Sequence, residues 1–294
     1  MLQNIFAIVL AAGKSTRFVG PESKLLTPLC GKELILYPLE LLEDLGINKC
    51  FVLGHKAAII QKLILKKAKS PTSFAFQLEQ LGTGHAVACS KQEWRESQIL
   101  ILNGDMPLVS AELIKNLIAV HVQKNATVSF VAFKATDPGC YGRVIVDNNH
   151  SSKLQCAYSP HCVRDNIKNK YCPTQSPLEK KLLGQRDDSL CCESRKKFNN
   201  PIEIIEFKDC TDTQKTINFV NAGIYLFDRT FLETQINNLN SQNAAREFYL
   251  TDLVGIASTQ TAKVIVSRAP EAEVLGINTL EDFAKVEKNL KQKN

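Results

Sequence analysis

Residues 5–17 read Ile5-Phe6-Ala7-Ile8-Val9-Leu10-Ala11-Ala12-Gly13-Lys14-Ser15-Thr16-Arg17, and Lys24 follows seven positions later. The apolar run predicts a first buried strand over Ile5 to Ala11. Small residues at its end let the chain approach a ligand closely, so a loop there can turn backbone N–H groups toward phosphate oxygens. Arg17 and Lys24 add positive charge at the same place. The spacing fits neither GxGxxG nor GxxxxGK[ST], so the dinucleotide and Walker patterns are excluded.

Outward from this strand, helix and strand signals alternate. Leu34 to Leu45 reads as a helix closed by Gly46, and Cys50 to Leu53 as a strand. Ala57 to Lys69 is helical through the apolar stripe Ile59, Ile60, Leu63 and Ile64. Phe74 to Leu78, Ile99 to Leu102 and Thr127 to Phe133 read as strands. Gly84 to Lys91 reads as a short helix, and Ser110 caps a helix running to about Gln123. The alternation predicts an α/β fold with a mostly parallel sheet and helices on both faces, whose ligands bind beyond the carboxyl ends of the strands. Strands are expected again at Ile202 to Phe207, Val220 to Phe227 and Ala262 to Ser267, and an amphipathic helix at Leu280 to Leu290.

Length and charge narrow the class. The 294 residues suffice for one large α/β domain, and the net charge of +6 suits an enzyme handling phosphorylated substrates, since the basic residues are spread along the chain. No run reaches the 18 apolar residues of a membrane span, and no basic stretch precedes the N-terminal apolar run. A cytoplasmic protein with no membrane partner is expected. Cys30, Cys50 and Cys89 sit in apolar segments and are expected as buried thiols. Residues 151–200 break the pattern: they carry five cysteines and an excess of Lys and Arg, and read as a looped or partly disordered insertion. No CxxC pair accompanies His161 and Cys162, which argues against zinc. Aromatic interleaving is also missing, which argues against nucleic acid.

Further motifs follow in order. They are Gln77-Leu78-Glu79-Gln80-Leu81-Gly82-Thr83-Gly84-His85-Ala86, Asn103-Gly104-Asp105-Met106-Pro107-Leu108 and Tyr141-Gly142-Arg143. Ile205 to Asp209, Val220 to Ile224, Glu247 to Asp252 and Gly276-Ile277-Asn278 complete the set. Together with Leu10 to Arg17 and Lys24, this series resembles the sugar nucleotidyltransferases, and among them the bacterial N-acetylglucosamine-1-phosphate uridyltransferases. The resemblance spans residues 4–149 and 201–290.

It implies a Rossmann-like nucleotide-diphospho-sugar transferase fold over residues 1–294, a single domain with a smaller sugar-binding lobe. It further implies that Leu10, Ala11, Ala12, Gly13, Gln77, Gly82, Thr83, Gly104 and Asp105 hold the nucleotide. A glutamine suits this because its amide can offer both a donor and an acceptor to uracil. Gly142, Glu206, Asn221, Tyr249 and Thr251 are implied to line the sugar pocket, and Asp105 with Asn278 to ligate Mg²⁺, a hard cation that needs few protein ligands. Arg17 and Lys24 are the implied catalytic cations. The substrates implied are UTP and N-acetylglucosamine 1-phosphate, joined by in-line displacement of pyrophosphate without a covalent enzyme intermediate.

His85 and Tyr141 fit packing or turn roles as easily as ligand contacts and are left out of the implied site, and Asn103 is read as uninformative. No hexapeptide repeats follow, so neither a left-handed β-helix acetyltransferase domain nor its trimer is expected, which leaves a monomer or weak homo-oligomer. The insertion enters between Gly142 and Glu206, beside the implied sugar pocket. Glucose 1-phosphate with UTP or TTP, a cytidylyltransferase, and a catalytically dead nucleotide sensor are the alternatives.

Overall fold

The computed structural model describes residues 2–15, 18, 23–146, 202–260 and 262–293. Arg17 and the insertion at 151–200 lie outside them.

Strand β1 (Ile5–Ala11) forms because its residues are apolar on both faces, and both faces are covered. Ile5, Ala7, Val9 and Ala11 point into one core, whereas Phe6 and Ile8 point into the other. Such continuous burial marks a strand sandwiched between helix layers. The neighbours of β1 are β4 (Asn48–Leu53) and β6 (Gln98–Asn103), both parallel to it. Edge strand β5 (Thr72–Phe76) adds parallel to β4.

On the other side, β10 (Phe219–Asp228) runs antiparallel to β6 and to β7 (Val128–Lys134), and β11 (Val264–Arg268) is parallel to β7. The order is β11-β7-β10-β6-β1-β4-β5, with β8 (Arg143–Ile145) pairing β10 and β9 (Glu203–Ile205). A hairpin of β2 (Pro28–Leu29) and β3 (Lys32–Glu33) stands apart. The sheet is therefore mixed and mostly parallel, as the alternation of elements predicted.

Helices cover both faces. Helices α1 (Leu36–Asp44), α2 (Ala57–Lys67) and α4 (Ala111–Gln123) pack through Leu39, Ile60, Ile64 and Leu117 into the first core. Helices α3 (Thr83–Cys89), α6 (Arg229–Gln235) and α7 (Asp252–Thr259) pack through Val87, Leu232 and Val254 into the second. Ser110 caps α4 as predicted, its Oγ accepting from Leu113 N at 3.1 Å. Short helices α5 (Asp212–Lys215) and α8 (Glu271–Val274) precede the terminal helix α9 (Leu280–Lys293). Among the described residues, no helix is long and apolar enough to cross a membrane.

Three expectations need correction. Cys30 is exposed, because it sits with φ of 48° at the turn of the β2–β3 hairpin instead of in the core; Cys50 is buried and Cys89 partly so. The strand expected at Ile202 to Phe207 spans only Glu203–Ile205 and passes into a single 3₁₀ turn, Phe207–Asp209. The strand expected to reach Leu78 stops at Phe76, and Leu78 is 87% exposed.

Candidate active site

Strands β1, β4 and β6 all end at the same rim of the sheet, and their loops build a cavity of about 530 Å³ there. Leu10, Ala11, Ala12 and Gly13 form one wall, Gln77, Gln80, Gly82 and Thr83 another, and Lys24, Asn103, Asp105 and Asn278 the floor. A second cavity, of about 290 Å³, is lined by Gly142, Glu206, Asn221 and Thr251 together with Tyr141 and Gly223. The two cavities share Leu10, Thr83, Asn103, Asp105 and Asn278. They are thus two chambers meeting at one carboxylate.

Asp105 reaches this junction because β6 ends at Asn103 and Gly104 then turns the chain, donating its N–H to Leu10 O at 2.9 Å. Lys24, only 6% exposed, donates to Asp105 Oδ2 at 2.6 Å and also to Ile277 O. Asp105 O in turn accepts from Ile277 N at 3.0 Å, which ties the Gly276-Ile277-Asn278 segment to the same spot. A Cβ placed on Gly276 would lie 3.6 Å from Asp105 Oδ1 and 3.9 Å from Asn278 Nδ2, so these two side chains flank one point. With the Asn278 amide turned to present its oxygen, one carboxylate and one amide would form a hard, oxygen-only donor pair, the kind that suits a cation completing its shell with water and phosphate. Among the described residues, no group of three or more His, Cys, Asp or Glu side chains is placed to hold a metal.

In the second chamber, Thr251 Oγ1 donates to Glu206 Oε1 at 3.0 Å, and burial raises the Glu206 carboxyl above its ordinary value. Asn221 is held from two sides: its amide donates to Tyr225 Oη at 2.5 Å, and its Oδ1 accepts from Gly223 N at 3.1 Å. The register of β10 against β7 breaks between Asn221 and Tyr225, at Gly223 with φ of 79°. A side chain there would be both strained and blocked, since a Cβ would fall 2.3 Å from Asn103 Nδ2. This bulge thus brings Asn103 under β10, and Asn103 lines both chambers.

Two implied site residues line neither chamber. Tyr249 is buried, and its hydroxyl donates to Asp209 Oδ2 at 3.0 Å. Gly104 lies beneath the floor, where a Cβ would meet Ile35 Cδ1 at 3.0 Å. Gln77 faces the first chamber, but with less to offer than its residue type suggests. Its Nε2 donates to Gly82 O at 2.9 Å and lies 3.0 Å from His85 Nδ1, so both amide hydrogens turn inward. His85 lines neither chamber, but it touches Gln77, which lines the first. No spacing signals this, because the turn at residues 78–82 is what folds Gln77 back onto helix α3. Asn103 did carry a signal: a polar residue closing the apolar strand that leads to Asp105.

Comparison with known proteins places the chain in a family. The chain is 32% identical over 283 residues to the bifunctional protein GlmU of an Anaeromyxobacter species, covering 95% of this chain. It is 30% identical over 287 residues to the Clostridium perfringens protein of the same name, covering 97% of this chain. These alignments take in 47% and 52% of those proteins, so the chain spans about half the length of the curated relatives it matches. Among solved structures, the inositol-1-phosphate CTP transferase from T. maritima superposes with a TM-score of 0.62 over 98% of this chain and 95% of that one, at 14% identity. That likeness shows a shared fold. A family model describing the MobA-like NTP transferase domain matches residues 7–165, more than half of the chain. By that match the chain belongs to the MobA-like NTP transferase family.

Proposed function

We propose that the chain is a sugar-1-phosphate uridylyltransferase, joining UTP and N-acetylglucosamine 1-phosphate to give UDP-N-acetylglucosamine and pyrophosphate. The observation that carries this reading is the pair of chambers meeting at Asp105: two substrates in adjoining pockets bring their phosphates to one shared point. The motif series and the relatives covering nearly the whole chain support the same reading.

In this scheme the first chamber holds the nucleotide and the second the sugar. A phosphate oxygen of the sugar 1-phosphate attacks the α-phosphorus, a new P–O bond forms, and the bond to the β-phosphate breaks with pyrophosphate as leaving group. The protein's contribution is alignment and charge. Lys24, fixed between Asp105 and Ile277 O, offers a compact ammonium to the reacting phosphates. Arg17, which follows β1 in sequence, is proposed as the second cation. Glu206 Oε2, not engaged by Thr251, can accept from a sugar hydroxyl, and Asn221 can meet a hydroxyl or acetamido group. Asp105 and Asn278 are the proposed Mg²⁺ ligands; bound there, the ion neutralises charge on the triphosphate.

Pyrophosphate release, measured over a grid of nucleoside triphosphates and sugar 1-phosphates with Mg²⁺ and with chelator, tests the reading. The expected result is release with UTP and N-acetylglucosamine 1-phosphate, abolished by chelator. Release with a different sugar phosphate alone would reassign the second chamber. Binding of UTP without release under any condition would make the chain a nucleotide sensor.

A further inference from the structure

The first chamber contains a side chain whose orientation is decided elsewhere. A free glutamine amide can present either its N–H₂ or its carbonyl oxygen to a ligand, and so reads both kinds of base edge. Gln77 has lost that freedom. Gly82 O can only accept, so the Gln77 atom 2.9 Å from it must be the nitrogen. The second hydrogen of that nitrogen meets His85 Nδ1 at 3.0 Å, which requires Nδ1 to be unprotonated and to accept. The remaining ring nitrogen, Nε2, carries the hydrogen and lies 3.9 Å from Cys89 Sγ, a weak acceptor. The His85 ring is held beside Phe248, with centroids 6.5 Å apart. Gln77 itself is only 3% exposed, yet its Oε1 makes no hydrogen bond among the described residues and is not among the sealed polar atoms. It is the one polar atom this side chain leaves to the cavity.

We propose that His85 is a positioning residue for base recognition: by accepting the second amide hydrogen of Gln77, it joins Gly82 O in keeping a lone acceptor toward the chamber, so the site takes a base with a ring N–H at the contacted position, as in uracil or thymine, over cytosine. The proposal rests on reading the first chamber as the nucleotide pocket. Uracil brings an N–H to that acceptor, whereas cytosine brings a bare nitrogen, and two acceptors facing each other repel. Selectivity of this kind comes from the mismatch with the wrong base as much as from the match with the right one. An unmade bond at a desolvated acceptor corresponds to roughly a tenfold or larger loss in affinity.

Calorimetric titration of the whole chain with UTP and with CTP, in the presence of Mg²⁺, tests this directly. The wild type is expected to bind UTP roughly tenfold or more tightly than CTP. His85→Leu keeps bulk but removes one of the two acceptors that hold the amide, and the preference should fall severalfold, Gly82 O alone then favouring the same orientation. His85→Asn places Oδ1 where Nδ1 stood, so the preference should return. His85→Ala serves as a second removal if the leucine variant fails to fold. An unchanged UTP-to-CTP ratio in either removal variant, or a ratio lost equally in His85→Asn, overturns the role of His85. A wild type that binds no nucleotide overturns both this proposal and the nucleotide pocket. A wild type that prefers UTP but releases no pyrophosphate overturns only the transferase reading.

Discussion

Two buried lysines sit at opposite ends of the same sheet, and their surroundings assign them different work. Lys24, at the carboxyl rim, donates at 2.6 Å to Asp105, whose side chain is 21% exposed and opens on both chambers. Lys49, near the start of β4 at the foot of the sheet, is wholly enclosed. It donates to Ser70 Oγ at 2.7 Å and lies 3.6 Å from Glu43 Oε1. Glu43 Oε1 also accepts from Lys69 N at 2.6 Å and Ser70 N at 3.2 Å, which pins the turn between α2 and β5 to the end of α1. Burial pushes the Lys49 ammonium below its ordinary value, and Glu43 only partly offsets this. A charge pair open to a cavity can exchange partners with a ligand. A sealed pair can only hold the chain together, and it does so against a desolvation cost.

Removing each ammonium should separate the two roles. Lys24→Ala is expected to lower turnover by about a thousandfold, about 4 kcal/mol in the barrier, while leaving the unfolding midpoint close to wild type because Asp105 can hydrate. Pyrophosphate-release kinetics beside thermal unfolding check this, and near-normal turnover in a folded Lys24→Ala would break the contrast at its functional end. Lys49→Met should do the reverse. It leaves Glu43 charged and enclosed, with a cost of about 3 kcal/mol in unfolding free energy, while turnover per folded molecule stays unchanged. Urea unfolding monitored by circular dichroism measures that cost.

The rim was more legible in the sequence than the foot, and the reason is physical. A phosphate-handling loop needs small residues after an apolar strand and cations within reach, so Leu10 to Gly13, Lys24 and Asp105 leave a local pattern. The sheet core was equally readable, because Ile5 to Ala11, Cys50 to Leu53 and Ile99 to Leu102 are continuous apolar runs. Contacts made by folding distant segments together were not readable. Nothing in sequence pairs Lys49 with Glu43, or Gln77 with His85, or sets Asn103 beneath Gly223. The bulge at Gly223 depends on which strand lies beside β10, a fact about topology. Tyr249 shows the same limit: its motif resembles a sugar contact, and only the fold shows that its hydroxyl donates to Asp209.

A third buried ionisable group sharpens the view that the foot is built for stability alone. His121, on the inner face of α4, is 1% exposed, with Nδ1 2.8 Å from Ser129 Oγ and Nε2 2.8 Å from Gln98 Oε1, near the starts of β7 and β6. Desolvation lowers its pKa from 6.5 to about 4, opposed weakly by Asp228. The unfolded chain therefore takes up the proton first as the solution is acidified. The stability this neutral imidazole contributes is complete above pH 6.5 and drains away as pH falls through about 4. The loss amounts to at most about 3 kcal/mol. Urea midpoints measured from pH 7 to pH 4 should decline accordingly, and His121→Gln should flatten the decline while costing some stability at pH 7. An equal slope in the variant would move the acid sensitivity to carboxylates elsewhere. A slope that disappears while nucleotide affinity at pH 7 stays constant would place His121 with Lys49, among groups that hold the sheet without touching the ligand.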